Sequence, residues 1–291
     1  MNTYVADQLK AYIEKSNLII INDDFKIRLS HELLNNYKQN LYLHALSSIE
    51  ENINKIKALN IEYPANAKPI FYLYIVPNEN FSQLLNFPKN RSTKGGGKPV
   101  SCYDLDGFNE ALGVSSNILE NETDSSIMKT VNSIHELAHL VHSMFFRRNR
   151  FIEEGFAEAL PLYTMDYESE FKEYRDLLKS LKKSQILSAQ ELIVLGEKNE
   201  FNSRPLVANA SCSFELPYIS SYLFVKGCLT AIEKKYNVNR IQATQKFLEI
   251  IKQSPCWNQW LVYDIANAID LSQEELLNGK DMQFDTIKNL D

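Results

Sequence analysis

The residues best placed to do chemistry are His135, Glu136 and His139, in the run His135-Glu136-Leu137-Ala138-His139. Two histidines four residues apart on a helix lie one above the other, so both imidazoles can reach one metal ion. Zinc suits such a pair, because it accepts neutral imidazole nitrogen and carboxylate oxygen at roughly 2.0–2.2 Å in tetrahedral geometry. Glu136 sits about 100° further round the helix, where it can face a water on the metal without being a ligand. The plainer alternative is a pair of core histidines bonded to backbone, but a chain with only five His makes a chance HExxH uncommon.

A catalytic zinc needs a third protein ligand and an open fourth position. His142 is the nearest candidate, yet three residues beyond His139 on the same helix it cannot easily converge with the other two, which leaves it to pack in the core or to support a ligand from behind. The spacing of the metzincin zinc sites is absent, since its third His would fall at Phe145. The following run, Glu153-Glu154-Gly155-Phe156-Ala157-Glu158, offers three carboxylates on what should be the next helix. Glu153, Glu154 and Glu158 all stay open on the residues alone.

HELAH followed by EGFAEAL resembles the gluzincin branch of zinc metallopeptidases, which includes the thermolysin-like and aminopeptidase-like families. The resemblance covers 125–165 strongly and 68–236 loosely. It implies one zinc per chain, held by His135, His139 and Glu154, the glutamate directly before Gly155-Phe156-Ala157. It implies that Glu158, one turn later, hydrogen-bonds His135, and that Glu136 is general base and then acid in hydrolysis of a peptide or protein substrate. It also implies a tyrosine donor to the oxyanion from a downstream helix, with a small residue three positions on. Tyr218, followed by Ser221, matches best, and Tyr222 is the reserve. The chain departs from the family in its short connection of fourteen residues, 140–153, between His139 and Glu154. It also lacks the aminopeptidase GAMEN run, which leaves endo- and exo-cleavage both open. Two other functions compete: a catalytically idle relative that keeps the metal site for binding, and zinc hydrolysis of a non-peptide bond.

These residues need elements to hold them. Ile127, Val131, Ile134, Ala138, Val141 and Phe145 recur at spacings of three and four, which predicts a helix through the motif, with Thr123 or Asp124 as its cap. Ile152–Leu160 predicts a second helix, kinked or ended by Pro161. Upstream, helices are expected over 3–15, Ser30–Leu59 and Asn78–Leu85, with a short buried segment at Leu18–Ile21. Lys68–Val76 reads as a strand, and Pro99–Asp104 and Gly113–Leu119 as two more. An antiparallel edge there would offer backbone groups to an extended peptide. Gly95-Gly96-Gly97-Lys98 lacks the glycine and Ser/Thr positions of a phosphate loop and reads as a turn. Arg147-Arg148-Asn149-Arg150 reads as a solvated basic cluster.

Downstream, 168–183 reads as a charged helix and Phe201–Pro217 as mostly loop. Ser188 opens a capping box. Helices follow from Pro217 to Tyr236, from Asn239 to Lys252 and after Ser272. The fold class expected is α+β and mainly helical, with a small mixed β-sheet beside the HExxH helix, a helical C-terminal lobe and, from the resemblance, a zincin-like core. The expected segments are 1–62, 63–165 and 166–291.

Composition excludes other classes. The 291 residues are 44 % hydrophobic and 23 % charged, ordinary for a globular protein with a large core. A net charge of −6 with interspersed signs implies no nucleic-acid partner. No apolar run approaches the ~20 residues of a membrane span, and the N-terminus lacks a signal-peptide pattern. Cys102, Cys212, Cys228 and Cys256 are scattered without a CxxC, as expected of reduced thiols in a cytoplasmic protein. His31 and His44 read as surface or packing residues.

Overall fold

The structure is a computed structural model that describes residues 17–22, 25–29, 50–63, 71–75, 97–102, 110–115, 126–143, 145, 149–198, 200–201, 206–208, 213–254 and 259–290. The helices expected over 3–15, 30–49 and 78–85, the cap at Thr123 or Asp124, and His31 and His44 lie outside these residues. The chain divides into two compact units, residues 1–144 and 145–291. Among the described residues no helix is long and apolar enough to cross a membrane.

The first unit carries a five-stranded mixed sheet. Its strands are β1 (Asn17–Asn22), β2 (Phe25–Leu29), β3 (Phe71–Ile75), β4 (Gly97–Cys102) and β5 (Glu110–Ser115), in spatial order β1-β2-β3-β5-β4. The outer pairs β1/β2 and β4/β5 are antiparallel, while β2/β3 and β3/β5 are parallel. The three strands expected at Lys68–Val76, Pro99–Asp104 and Gly113–Leu119 are thus present as β3, β4 and β5, with shifted ends. Gly97 and Lys98 do not turn; they pair with Ser115 and Val114 and open β4. Pro99, which has no N–H to give, is tolerated because β4 is an edge strand. Residues 50–58 form a helix, α1.

β5 leads into α2 (Ser126–Ser143), the helix that holds the HExxH, and α2 lies against β4 and β5. Val131, Ile134, Leu137, Ala138 and Val141 are all at most 4 % exposed, so the apolar stripe is the buried face.

The second unit is helical. Its helices are α3 (Arg150–Ala159), α4 (Tyr167–Glu170), α5 (Lys172–Ser180), α6 (Ala189–Glu197), α7 (Leu216–Tyr236), α8 (Arg240–Gln253), α9 (Gln259–Ala268), α10 (Gln273–Asn278) and α11 (Asp281–Lys288). The charged helix expected over 168–183 is broken at Phe171 into α4 and α5. The loop expected over 201–217 contains a short hairpin, β6 (Leu206–Ala208) against β7 (Ser213–Glu215). Pro161 neither ends nor simply kinks its helix. It opens a π-helical turn, Leu160–Thr164, closed by Met165 N–H donating to Leu160 O. A wider turn removes the need for the N–H that proline lacks.

α7 is the axis of this unit. It is buried over most of its circumference, from Pro217 to Ile232, and α3, α6, α8 and α11 all pack on it. Pro217 in its first turn uses a position where the N–H has no helical acceptor. Ser188 and Glu191 form the capping box that starts α6. α3 approaches α7 most closely at Gly155, where a Cβ would sit 2.4 Å from Ser221 O and 2.7 Å from Val225 Cγ2. Phe151 of α3 meets Phe224 of α7 edge-on at 5.3 Å, fixing the rotation of one helix on the other.

Gly155→Ala should therefore cost about 1–3 kcal/mol by overpacking, more than Ser188→Ala, which removes one cap and should cost about 1 kcal/mol. Urea unfolding midpoints measure both. A Gly155→Ala protein as stable as the wild type would mean that α3 and α7 do not meet this closely.

Candidate metal centre

α2 places His135 and His139 one turn apart with their Nε2 atoms 3.1 Å from each other and their rings nearly perpendicular, centroids 4.7 Å apart. Two nitrogens on one tetrahedral ion with bonds of about 2.0–2.1 Å stand ~3.3 Å apart. The pair is thus spaced as two ligands of a single zinc-sized ion would be. His139 is buried and His135 half-buried. His142 is 1 % exposed and belongs to the core side of α2, as a packing residue should. Glu136 is half-buried and follows His135 by a turn of about 100° about the helix axis.

Glu154 stands on α3. Among the described residues one group of histidine, cysteine or acidic side chains could hold a metal ion, and it is His135, His139 and Glu154, with ligand atoms all within 4.8 Å of one another. The donor set, two imidazole nitrogens and one carboxylate oxygen, fits a zinc with one position left over. Of the three carboxylates offered by the sequence, Glu154 is the one in this group. Glu153 is buried on the same helix, turned about 100° away. Glu158, one turn after Glu154, is half-buried.

Glu154 is 2 % exposed, and a charged carboxylate so far from water needs a partner. Arg150, one turn earlier on α3, gives it one: Nη2 lies 2.7 Å from Glu154 Oε1. The same nitrogen donates to Tyr218 Oη at 3.2 Å. Burial alone would pull the Arg150 guanidinium down. Glu154, Tyr218 and Glu153 together outweigh it and hold the group above its ordinary value. Phe201 closes the cluster, edge-on to Tyr218 at 5.4 Å and with Arg150 Cζ 5.9 Å from its ring centre. Burial first, and then the charge of Glu154, pushes the Tyr218 phenol well above its ordinary value, so it keeps its proton.

Tyr222, one turn on, is fully buried and donates to Glu168 at 2.7 Å. The α7 helix therefore sends its two candidate tyrosines to two different acids, and Tyr218 is the one linked to Glu154.

Arg150 departs from its expected place. Its run reads as a solvated cluster, whereas its side chain is 35 % exposed and bonded to a buried acid. The signal in the sequence is the four-residue spacing from Arg150 to Glu154, which puts both on one helix face. Glu168 and Lys226 form a second buried acid–base pair, 2.5 Å apart, that the sequence does not announce, because nothing local links residues 58 apart.

No family model matches the sequence, and no curated protein matches it closely enough to be counted a relative.

Proposed function

We propose that the protein is a zinc-dependent hydrolase of peptide bonds, a metallopeptidase of gluzincin type with a zincin-like core. One observation carries this reading: His135, His139 and Glu154 form a group that could hold a metal ion, with Glu136 beside the first histidine. A structural zinc site closes its coordination with four protein ligands and has no use for an adjacent base. Three ligands and a neighbouring carboxylate are the parts of a hydrolytic centre.

Zinc bound by these ligands supplies Lewis acidity, bringing the pKa of water down toward ~7 and polarising an acyl oxygen. Glu136 takes the proton from the attacking water at its carboxylate and returns it to the nitrogen of the leaving amine. Tyr218, kept protonated by its surroundings and accepting from Arg150, donates its O–H to the oxyanion that forms at the substrate carbonyl. Glu158 would orient His135 by accepting from its ring N–H. Arg150 fixes the Glu154 carboxylate through Oε1. The open edge of β4 gives an extended peptide backbone groups to pair with, as strand addition does elsewhere.

Metal analysis of the purified protein should find about one zinc per chain, and His135→Ala should abolish it. Glu136→Gln should keep the zinc and lose on the order of 10²–10⁴ in hydrolysis of a mixed peptide library. Glu136→Gln protein that cleaves at the wild-type rate would sink the proposal. Wild-type protein that holds zinc but cleaves no peptide would move the function to binding or to a non-peptide substrate.

Arg150→Met should weaken zinc binding by roughly 10- to 100-fold, the usual cost of losing a group that orients a ligand. Competition with a chromophoric chelator measures this without reference to turnover. Tyr218→Phe, in contrast, should leave zinc affinity unchanged and slow the reaction by about 10²-fold. An equal loss of zinc in both variants would mean that Tyr218 acts only through the ligand.

A further inference from the structure

The helical unit contains a cavity of about 810 Å³, within the ~300–1,000 Å³ range of small-molecule sites. It involves none of the proposed zinc ligands. The π-helical turn contributes Tyr163, α7 contributes Lys226, Thr230 and Ala231, and α8 contributes Arg240. Leu271, Leu276 and Met282 make an apolar wall.

Lys226 lines this cavity although it is only 6 % exposed. An ammonium has three N–H donors. Among the described residues Lys226 has one hydrogen-bond acceptor, Glu168 Oε2 at 2.5 Å. The faces of Tyr163 and Tyr222, at 5.6 and 5.7 Å, offer weaker compensation. Burial pulls the ammonium below its usual value even with Glu168 beside it.

Four of the five acids around the cavity are paired with a base, and Glu275 accepts from Ser272 Oγ. Glu168 accepts from Tyr222 on one oxygen and from Lys226 on the other. Asp166 holds Arg240, Asp281 holds Lys183 and Asp285 holds Lys288. Of the four basic side chains that line the cavity, Lys226 is the buried one, while Arg175 and Arg240 are half-buried and Lys234 is exposed. Tyr163 is held in place by bonds to Thr230 and Glu233, and its ring lies 4.8 Å from Arg240 Cζ, so the polar end of the cavity is preset. Five acidic and four basic side chains line the whole, so the lining carries no positive excess for a doubly charged phosphate and can match at most one negative charge, at Lys226. A single negative charge on an apolar body matches both ends.

We infer that this cavity is a binding site for a small amphipathic carboxylate, its carboxylate on Lys226 and its apolar part against Leu271, Leu276 and Met282. The test titrates the full chain with 3-phenylpropionate and octanoate by calorimetry, with 3-phenylpropionamide and 3-phenylpropylamine as controls. A carboxylate should bind saturably at one site, and the neutral amide and the amine at least ~10-fold more weakly, the worth of one hydrogen bond to a buried charge. Lys226→Met should lose the preference for the carboxylate, though it also strands Glu168. Ala231→Phe fills the cavity without touching a charge, and it should abolish binding while unfolding as the wild type does. Equal affinity for amide and carboxylate, undiminished binding by Ala231→Phe, or no saturable binding of either carboxylate at millimolar concentration would overturn the assignment.

Discussion

A carboxylate that is 2 % exposed is the constraint on which the candidate centre depends. Taken from water, Glu154 must meet a cation, a metal or a proton. Its own helix supplies the first through Arg150, one turn back, where the two side chains share a face. That pairing needs α3 to be seated on α7, because burial is what makes the pair necessary and Tyr218 of α7 is the second acceptor for Arg150. Seating in turn depends on Gly155. A side chain there would occupy the space of the Ser221 carbonyl. The glycine that follows the proposed ligand is thus part of how the ligand is buried.

α7 connects this arrangement to the rest of the helical unit. It is buried on nearly every face, as befits a helix surrounded by others, and several of its polar side chains have specific partners. Tyr218 goes to Arg150, Tyr222 and Lys226 go to Glu168, and Thr230 goes to Tyr163, while the Ser221 carbonyl lies under Gly155. These bonds tie α7 to α3, to α4 and to the π-helical turn. A core with this many specific polar pairs fixes the angle and register of its helices more tightly than apolar contact alone.

Much of this is legible in the sequence where the signal is periodic and local. The stripe from Val131 to Val141 names both the helix and its buried face, and so the side from which His135 and His139 project. Ser188 with Glu191 announces α6, and Pro217 announces the start of α7. The aromatic and apolar density of Phe71–Ile75 suffices for β3. What the sequence hides is of another kind. Pro161 reads as a residue that bends or stops a helix, but the backbone accommodates it by widening to a π turn, a choice made by tertiary packing around Leu162 and Tyr163. Arg150 reads as solvated because its run is basic; the four-residue spacing to Glu154 is its one local hint, and its bond to Tyr218, 68 residues on, has none. The α8 start at Asn239 and Gln242 is a full capping box in the structure, built from amides where the usual signal has a hydroxyl and an acid.

Two of the buried acids of the helical unit, Glu154 and Glu168, differ in what holds them. Both sit near a tyrosine of α7, one turn apart, and both have a cationic partner. Glu168 has each oxygen occupied, one by the Tyr222 hydroxyl and one by the Lys226 ammonium, and both partners are themselves buried. A metal could reach it only by stranding a buried cation. Glu154 is bound at Oε1 by a guanidinium that is 35 % exposed and sits at the start of its helix. Arg150 holds one oxygen, and its charge keeps access to water. The identity of the cation, a partly exposed arginine against a buried lysine, is therefore one difference in how the two carboxylates are held.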